Sequence, residues 1–288
     1  MFRALRAAYA ESTTRPETAL RLTDRLAAAA AVVGSLEALV SARADHRDGT
    51  VLRGDLMSRR IPADAKLLSA LVKASSGRRT EQVLETIRLA ASVTLLVARP
   101  GRTTRSAALA LLAVSSAVTH RRHTVQSDGS EQLLFQVQAA SALASLAGGG
   151  PRVTDACLWY IAAQSTLAYT VAGYSKLAGA EWRSGEALPG VLRTETYGDR
   201  KAFELVRTHP RTACTAGTAV VLGECGFGLL YFLGRGRYAP VFVSAGTVFH
   251  LVNARAMGLG RFLFAFVATY PAILYTARRV SARSGDVR

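Results

Sequence analysis

Cysteine is scarce in this 288-residue chain, and the three present are an odd number: Cys157, Cys214 and Cys225. All three sit inside apolar runs, so neither a disulfide framework nor a metal-ligand spacing is expected, and each reads as a small buried hydrophobe. Acidic residues are also in short supply, with 20 Asp and Glu against 36 Lys and Arg and a net charge of +16. The basic residues are spread over most of the loops and form no single stripe with interleaved aromatics, which argues against nucleic acid as a partner. No phosphate-binding loop, no Gly-x-Gly-x-x-Gly and no Gly-x-Ser-x-Gly elbow occurs. No internal repeat is present, and β-type alternation persists nowhere. Arg3 and Arg6 are followed by no apolar run until Leu26, so a cleavable signal peptide is not expected and the first apolar run would act as its own insertion signal.

What the chain does have is hydrophobicity: 50% apolar residues and 24 glycines, with a mean hydropathy of +0.18. That composition is expected of a polytopic membrane protein, with the basic loops lying against anionic lipid headgroups. Apolar runs recur at Leu26–Val40, Leu89–Ala98, Ser106–Val118, Leu133–Ala147, Cys157–Gly173, Thr212–Gly234, Val241–Val252 and Phe262–Ala277. A spanning helix needs about 20 residues, and several runs reach that length only with polar flanks such as Arg88, Gln136 and Gln138. Breakers separate them at Pro100-Gly101, Gly148-Gly149-Gly150-Pro151, Gly234-Arg235-Gly236 and Gly258-Leu259-Gly260. The expected fold is an all-α, polytopic transmembrane helical bundle of roughly six to eight spans, with no large soluble domain and a multi-pass location in the cell membrane. Residues 1–20 form a basic tail, 21–278 the helical domain and 279–288 a second basic tail. Two long connections are expected, Ser41–Thr86, with an amphipathic patch at Ala65–Val72, and Trp182–Arg211. The arginines of the C-terminal tail, Arg278, Arg279, Arg283 and Arg288, favour a cytoplasmic C-terminus.

Ionisable groups within apolar runs are the places to seek chemistry, because each costs free energy unless paired or facing a cavity. Lys176 closes the fifth run, and Tyr169, Ala172 and Gly173 precede it by seven, four and three residues, so all four share one helix face. Glu224 lies in the sixth run. His250 and Asn253 in the seventh share a face with Met257. Together Lys176, Glu224, His250 and Asn253 make an acid–base set around a cavity, in which a desolvated lysine would act as a neutral base. The structural alternative stands beside each: a snorkelling lysine, a Glu224 that pairs with a cation on a neighbouring helix, and a His250 and Asn253 that hydrogen-bond across helices. Glu37, near the end of its run, reads as structural. His120 and His123, with Asp128 and Glu131 downstream, have a spacing that invites a metal. The arginines between the histidines and the break at Gly129 favour a basic flanking loop instead, so no metal is expected.

The segment Ala172-Gly173-Tyr174-Ser175-Lys176-Leu177, then Trp182, then Gly185-Glu186-Ala187-Leu188 has the pattern A-G-x-x-K-L…W…G-x-A-L. It resembles the vitamin K-dependent gamma-carboxylase-like superfamily, whose bacterial members are the horizontally transferred transmembrane (HTTM) domain proteins. Glu224, Phe249-His250 with Asn253, and Met257-Gly258-Leu259-Gly260 leading into Phe262 continue the order. The resemblance covers most of the chain and is specific from about Tyr169 to Phe266. It implies a proton-abstracting Lys176, a supporting His250, and membrane-associated chemistry on an isoprenoid or quinone-like substrate, with a hydroquinone and oxygen as the candidate cofactors. The carboxylases' Asn-His pair is replaced here by Val125–Gln136, with Asp128, Glu131 and Gln132, and their large substrate-recognition domain is absent, so protein carboxylation is not expected. Epoxidation, isomerisation and cyclisation stay open, and cyclisation would need a carboxylic acid donor, Glu224 or Asp128. The other class is a non-catalytic membrane accessory, transport or immunity protein, in which Lys176 and Glu224 form a structural ion pair. Membrane lipids and a lipophilic small molecule are the partners either way.

Overall fold

The computed structural model describes residues 13–44, 78–98, 100–122, 129–194 and 198–285. Among these every regular element is helical. In chain order they are α1 (Pro16–Ala44), α2 (Arg78–Val97), α3 (Arg102–Arg122), α4 (Gly129–Leu146), α5 (Pro151–Ala178), α6 (Ala180–Ser184), α7 (Ala187–Leu192), α8 (Arg200–Thr208), α9 (Pro210–Cys225), α10 (Ala239–Met257), α11 (Gly260–Val267) and α12 (Tyr270–Gly285). Two short 3-10 turns, Phe227–Tyr231 and Leu233–Gly236, link α9 to α10. Starts and stops follow local chemistry. Proline sits in the first turn of α5, α9 and α10, where its missing N–H leaves no bond unmade. Asp199 caps α8 by accepting from the Ala202 amide at 2.8 Å. Gly258 ends α10 at φ 70°, a left-handed conformation that favours glycine.

The all-helical expectation holds, but the polytopic transmembrane bundle does not. Among the described residues no helix is long and apolar enough to cross a membrane. The apolar runs are divided by helix ends that hydropathy does not register. The run Thr212–Gly234 stays α-helical only to Cys225 and then tightens into the 3-10 turns. The sixteen residues of α9 reach about 24 Å, short of a hydrocarbon core of about 30 Å. The run Phe262–Ala277 is split between α11 and α12. The longer helices are diluted by charge: α1 carries Arg21, Asp24, Arg25 and Glu37, and α2 carries Glu81, Glu85 and Arg88. The Trp182–Arg211 connection is also corrected, since α6, α7 and α8 occupy most of it. The amphipathic patch Ala65–Val72 lies outside the described residues.

Polar groups tie the first four helices together from within. Ser35 of α1 donates to Glu85 of α2 at 2.8 Å, and Glu85 faces Arg88 at 3.3 Å. Arg88 then donates to Ser115 of α3 at 2.7 Å and Ser116 at 3.2 Å, and Ser116 donates to Gln138 of α4 at 2.7 Å. Arg261 of α11 joins the same end through Glu131 at 2.8 Å. Burial pushes the Arg88 guanidinium below its ordinary value, opposed by the carboxylates of Glu85 and Glu131. Arg88 and Gln138, read from sequence as flanks of apolar runs, are thus interior groups whose desolvation is offset in part by hydrogen bonds, Arg88 Nε and Gln138 Nε2 being left without a hydrogen-bond partner among the described residues.

Around this network α5 is central, packing against α1, α4, α9 and α12. Its closest approach is to α9 at Gly173. A Cβ added there would lie 2.8 Å from the Glu224 carbonyl carbon and 2.9 Å from Cys225 Sγ, so only glycine fits without a shift. Gly223, one residue before Glu224, has nothing within 4 Å of an added Cβ. Gly173→Ala is therefore expected to lower stability by about 1–3 kcal/mol through overpacking. Gly223→Ala should instead raise it by about 0.5–1 kcal/mol through helix propensity. Thermal or denaturant unfolding of the two variants checks this, and equal effects would mean that the α5–α9 contact is not as close as described.

Candidate acid–base site

Lys176 sits in the last turn of α5, where an ammonium is favoured by the exposed carbonyls of a helix C-terminus. That end is sealed twice. The Gly179 amide donates to the Lys176 carbonyl at 3.0 Å. Arg183 Nη1 donates to the carbonyls of Leu177 and Ala178 at 3.1 and 2.9 Å. The turn that follows brings Trp182 on α6 back over the lysine, with Nζ 5.5 Å from the ring centroid. Glu224 occupies the last turn of α9, where a carboxylate meets the negative end of its own helix. Lys176 offsets that placement: its Nζ donates to Glu224 Oε2 at 2.6 Å. The pair is asymmetric in exposure, 23% for the lysine side chain and 8% for the glutamate. Burial pushes the Glu224 carboxyl above its ordinary value, opposed by its hydrogen bond to Lys176 and the lysine's charge.

His250 belongs to a second, deeper group. It is 1% exposed on the inner face of α10, together with Val243 and Gly246. Tyr169 Oη lies 2.5 Å from its Nε2, and Tyr169 Oη lies 2.7 Å from Tyr270 Oη. Gly246 makes room for these hydroxyls, since a Cβ there would fall 2.5 Å from Tyr270 Oη and 3.2 Å from Tyr169 Oη. Phe266 stacks on the imidazole at 4.4 Å between centroids, and Phe227 stacks on Tyr169 at 3.9 Å. Burial drives His250 down to about 3, with the Lys176 charge adding to it, so the ring is neutral at physiological pH. Burial holds Tyr169 well above its ordinary value and Tyr270 at about 12. The chain Tyr270–Tyr169–His250 is therefore a neutral hydrogen-bonded relay. Its free end is His250 Nδ1, which is buried without a partner among the described residues.

Of the residues singled out from sequence, Lys176 and Glu224 are brought into direct contact. His250 joins them only through the field of the Lys176 charge, and Tyr169 feels that of Glu224. Asn253 is half-buried and makes no hydrogen bond to a described residue, so the expected His250–Asn253 set does not assemble. Asp128 and His123 lie outside the described residues, as does the side chain of His120. Among the described residues no three His, Cys, Asp or Glu side chains cluster as a metal site. Tyr270 and Phe266, which complete the His250 group, were not singled out. The local signal for Tyr169 was present, because it shares the helix face of Lys176. No protein-family model matches the chain, and searches of curated proteins and of solved structures find no match. The likeness to the carboxylase superfamily thus rests on the sequence motifs alone.

The two groups have opposite pH signatures. The folded value of His250 is depressed, so its contribution to stability is fully present above about pH 6.5 and falls as pH drops towards about 3. Glu224 is raised, so its contribution is fully present below the ordinary 4.5 and is lost as pH rises through its folded value. Denaturant unfolding between pH 6.5 and 3 should show wild type losing stability faster than His250→Gln, by up to about 1.4 kcal/mol per pH unit. Parallel curves would mean that the imidazole is not buried neutral.

Proposed function

We propose that Lys176 and Glu224 form an acid–base pair that moves a proton on a lipophilic substrate of isoprenoid or quinone type. The observation that carries this reading is the 2.6 Å contact between a part-exposed ammonium and a buried carboxyl already pushed upward by burial. A proton on Glu224 is held more tightly than on an ordinary glutamate, and Lys176 gives it an outlet towards the surface. The surroundings favour an apolar substrate: the Trp182 ring lies beside Lys176, and Leu177 next to the lysine is 46% exposed. Isomerisation or cyclisation would use Glu224 as the proton donor and Lys176 to receive or restore the proton. Epoxidation, the remaining alternative, would need dioxygen as the oxidant and a hydroquinone as the reductant, with Lys176 as the base. The neutral relay of His250, Tyr169 and Tyr270 fixes the α5–α10 contact behind the pair and is a positioning element. The A-G-x-x-K-L motif supports the role of the lysine by resemblance.

A second reading has its own observation. Gly173 presses α5 onto the backbone of Glu224 and Cys225, so the ion pair also clamps that contact, as a non-catalytic accessory protein would require. The two readings separate in one experiment. Lipid-soluble extracts would be compared from cells expressing equal amounts of wild type, Lys176→Ala, and the charge-swapped Lys176→Glu/Glu224→Lys. A compound present with wild type, absent with Lys176→Ala and still absent with a folded charge swap is the expected result. Extracts that are identical throughout, or a compound restored by the swap, would overturn the acid–base reading in favour of the clamp. Lys176→Ala is also expected to cost about 1–3 kcal/mol of stability by leaving the Glu224 carboxyl unpaired, measurable by denaturant unfolding.

A further inference from the structure

A cavity lies far from Lys176, at the opposite end of α5. It reaches Thr154 in the first turn of that helix, about 33 Å along the axis from the lysine. Its volume is about 980 Å³, and its walls come from α1, α3, α5, the last turns of α2 and α4 and the loop after α4. That space suits an organic molecule and far exceeds a single bare ion.

Charge distinguishes this cavity from a packing defect. Arg21, Arg25, Arg102 and Arg105 line it, against two carboxylates, Glu17 and Asp24. Arg105 is already committed: its Nε donates to Asp24 Oδ2 at 3.0 Å. Arg21, Arg25 and Arg102 form no ion pair with a described residue. Asp24 is 3% exposed, and its carboxyl is held by Arg105 and by the buried hydroxyl of Ser141 on α4, with burial pushing it above its ordinary value. Leu20, Leu22 and Leu95 supply an apolar wall beside the guanidinium groups.

We infer that this cavity binds an organic phosphate with an apolar body, its phosphate oxygens held by Arg21, Arg25 and Arg102. Three separate guanidiniums exceed what one carboxylate satisfies and match the three oxygens of a phosphomonoester. The leucine wall takes the apolar body. The same chemistry is available from a free phosphate ester or from an anionic lipid headgroup.

The full chain would be titrated with octyl phosphate, below its micelle concentration, and with inorganic phosphate by calorimetry, and floated with phosphatidylglycerol vesicles. Octyl phosphate is expected to bind at least tenfold more tightly than inorganic phosphate. Arg21→Gln/Arg102→Gln should weaken it at least tenfold, while Arg200→Gln, a change of charge on exposed α8, leaves it unchanged. Both arginines of the double variant are exposed on their helices, and circular dichroism would confirm that it folds. Octyl phosphate binding that depends on the two arginines identifies a free ester as the source. Vesicle binding that depends on them, without octyl phosphate binding, identifies a lipid headgroup. Binding by neither probe, binding unchanged in the double variant, or equal affinity for inorganic phosphate would overturn the inference.

Discussion

The approach of α5 to the last turn of α9 is the constraint on which the candidate site depends. Gly173 has no Cβ, so the two backbones meet at a separation that a side chain would prevent. Three residues later on the same helix, Lys176 comes level with Glu224, and the two charges close to 2.6 Å. Four residues earlier, Tyr169 turns inward to His250 and Tyr270. One helix face thus carries a buried neutral relay at one end and a part-exposed ion pair at the other, with the glycine between them as the contact. Neither group would keep its geometry if α5 rotated or withdrew.

The rest of the molecule rests on the same logic of paired interior polar groups. Arg88 among Glu85, Ser115 and Ser116, and Arg105 on Asp24, place cations inside a helical assembly where isolated charges would be costly. These groups also lower the apolar content of the helices that carry them, which is one reason that no described helix meets the requirement for crossing a membrane. The apolar surface is nonetheless extensive. Leu167 and Val171 on α5, and Val248, Leu251 and Val252 on α10, are each more than half exposed. Composition reports how much apolar surface a chain has and says nothing of how it is cut into helices.

That distinction explains what could be read from the sequence. Lys176, Glu224 and His250 were legible because an ionisable residue within an apolar run stands out, and because three- and four-residue spacings fix a helix face. The all-helical fold was legible from the absence of alternation. Helix ends were harder. Gly226 and the 3-10 turns after it, and the break at Ala268 and Thr269, fall within runs of uniform hydropathy. Partners distant in sequence were not legible either. Tyr270 meets Tyr169 across 101 positions, and Arg261 meets Glu131 across 130, with no local pattern announcing either. Asn253 failed for the opposite reason: spacing put it on the face of His250, but only the part of that face packed on Tyr169 and Phe266 is buried.

Burial also decides what each ionisable group can do. His250 is sealed beneath Phe266 and Tyr169, so its imidazole is neutral and would have to disrupt an aromatic stack to take up a proton. Lys176 and Glu224 lie at the edge of the same helix contact, where burial raises the carboxyl without isolating the ammonium. Lys176 therefore gives the pair a side open to the surface, whereas the tyrosine–histidine relay is buried and carries no charge. On the proposed reading, proton exchange belongs to the pair and rigidity to the relay. It follows that removing the Tyr169 hydroxyl should loosen the α5–α10 contact without abolishing the acid–base pair, because no atom of Tyr169 bonds to either member.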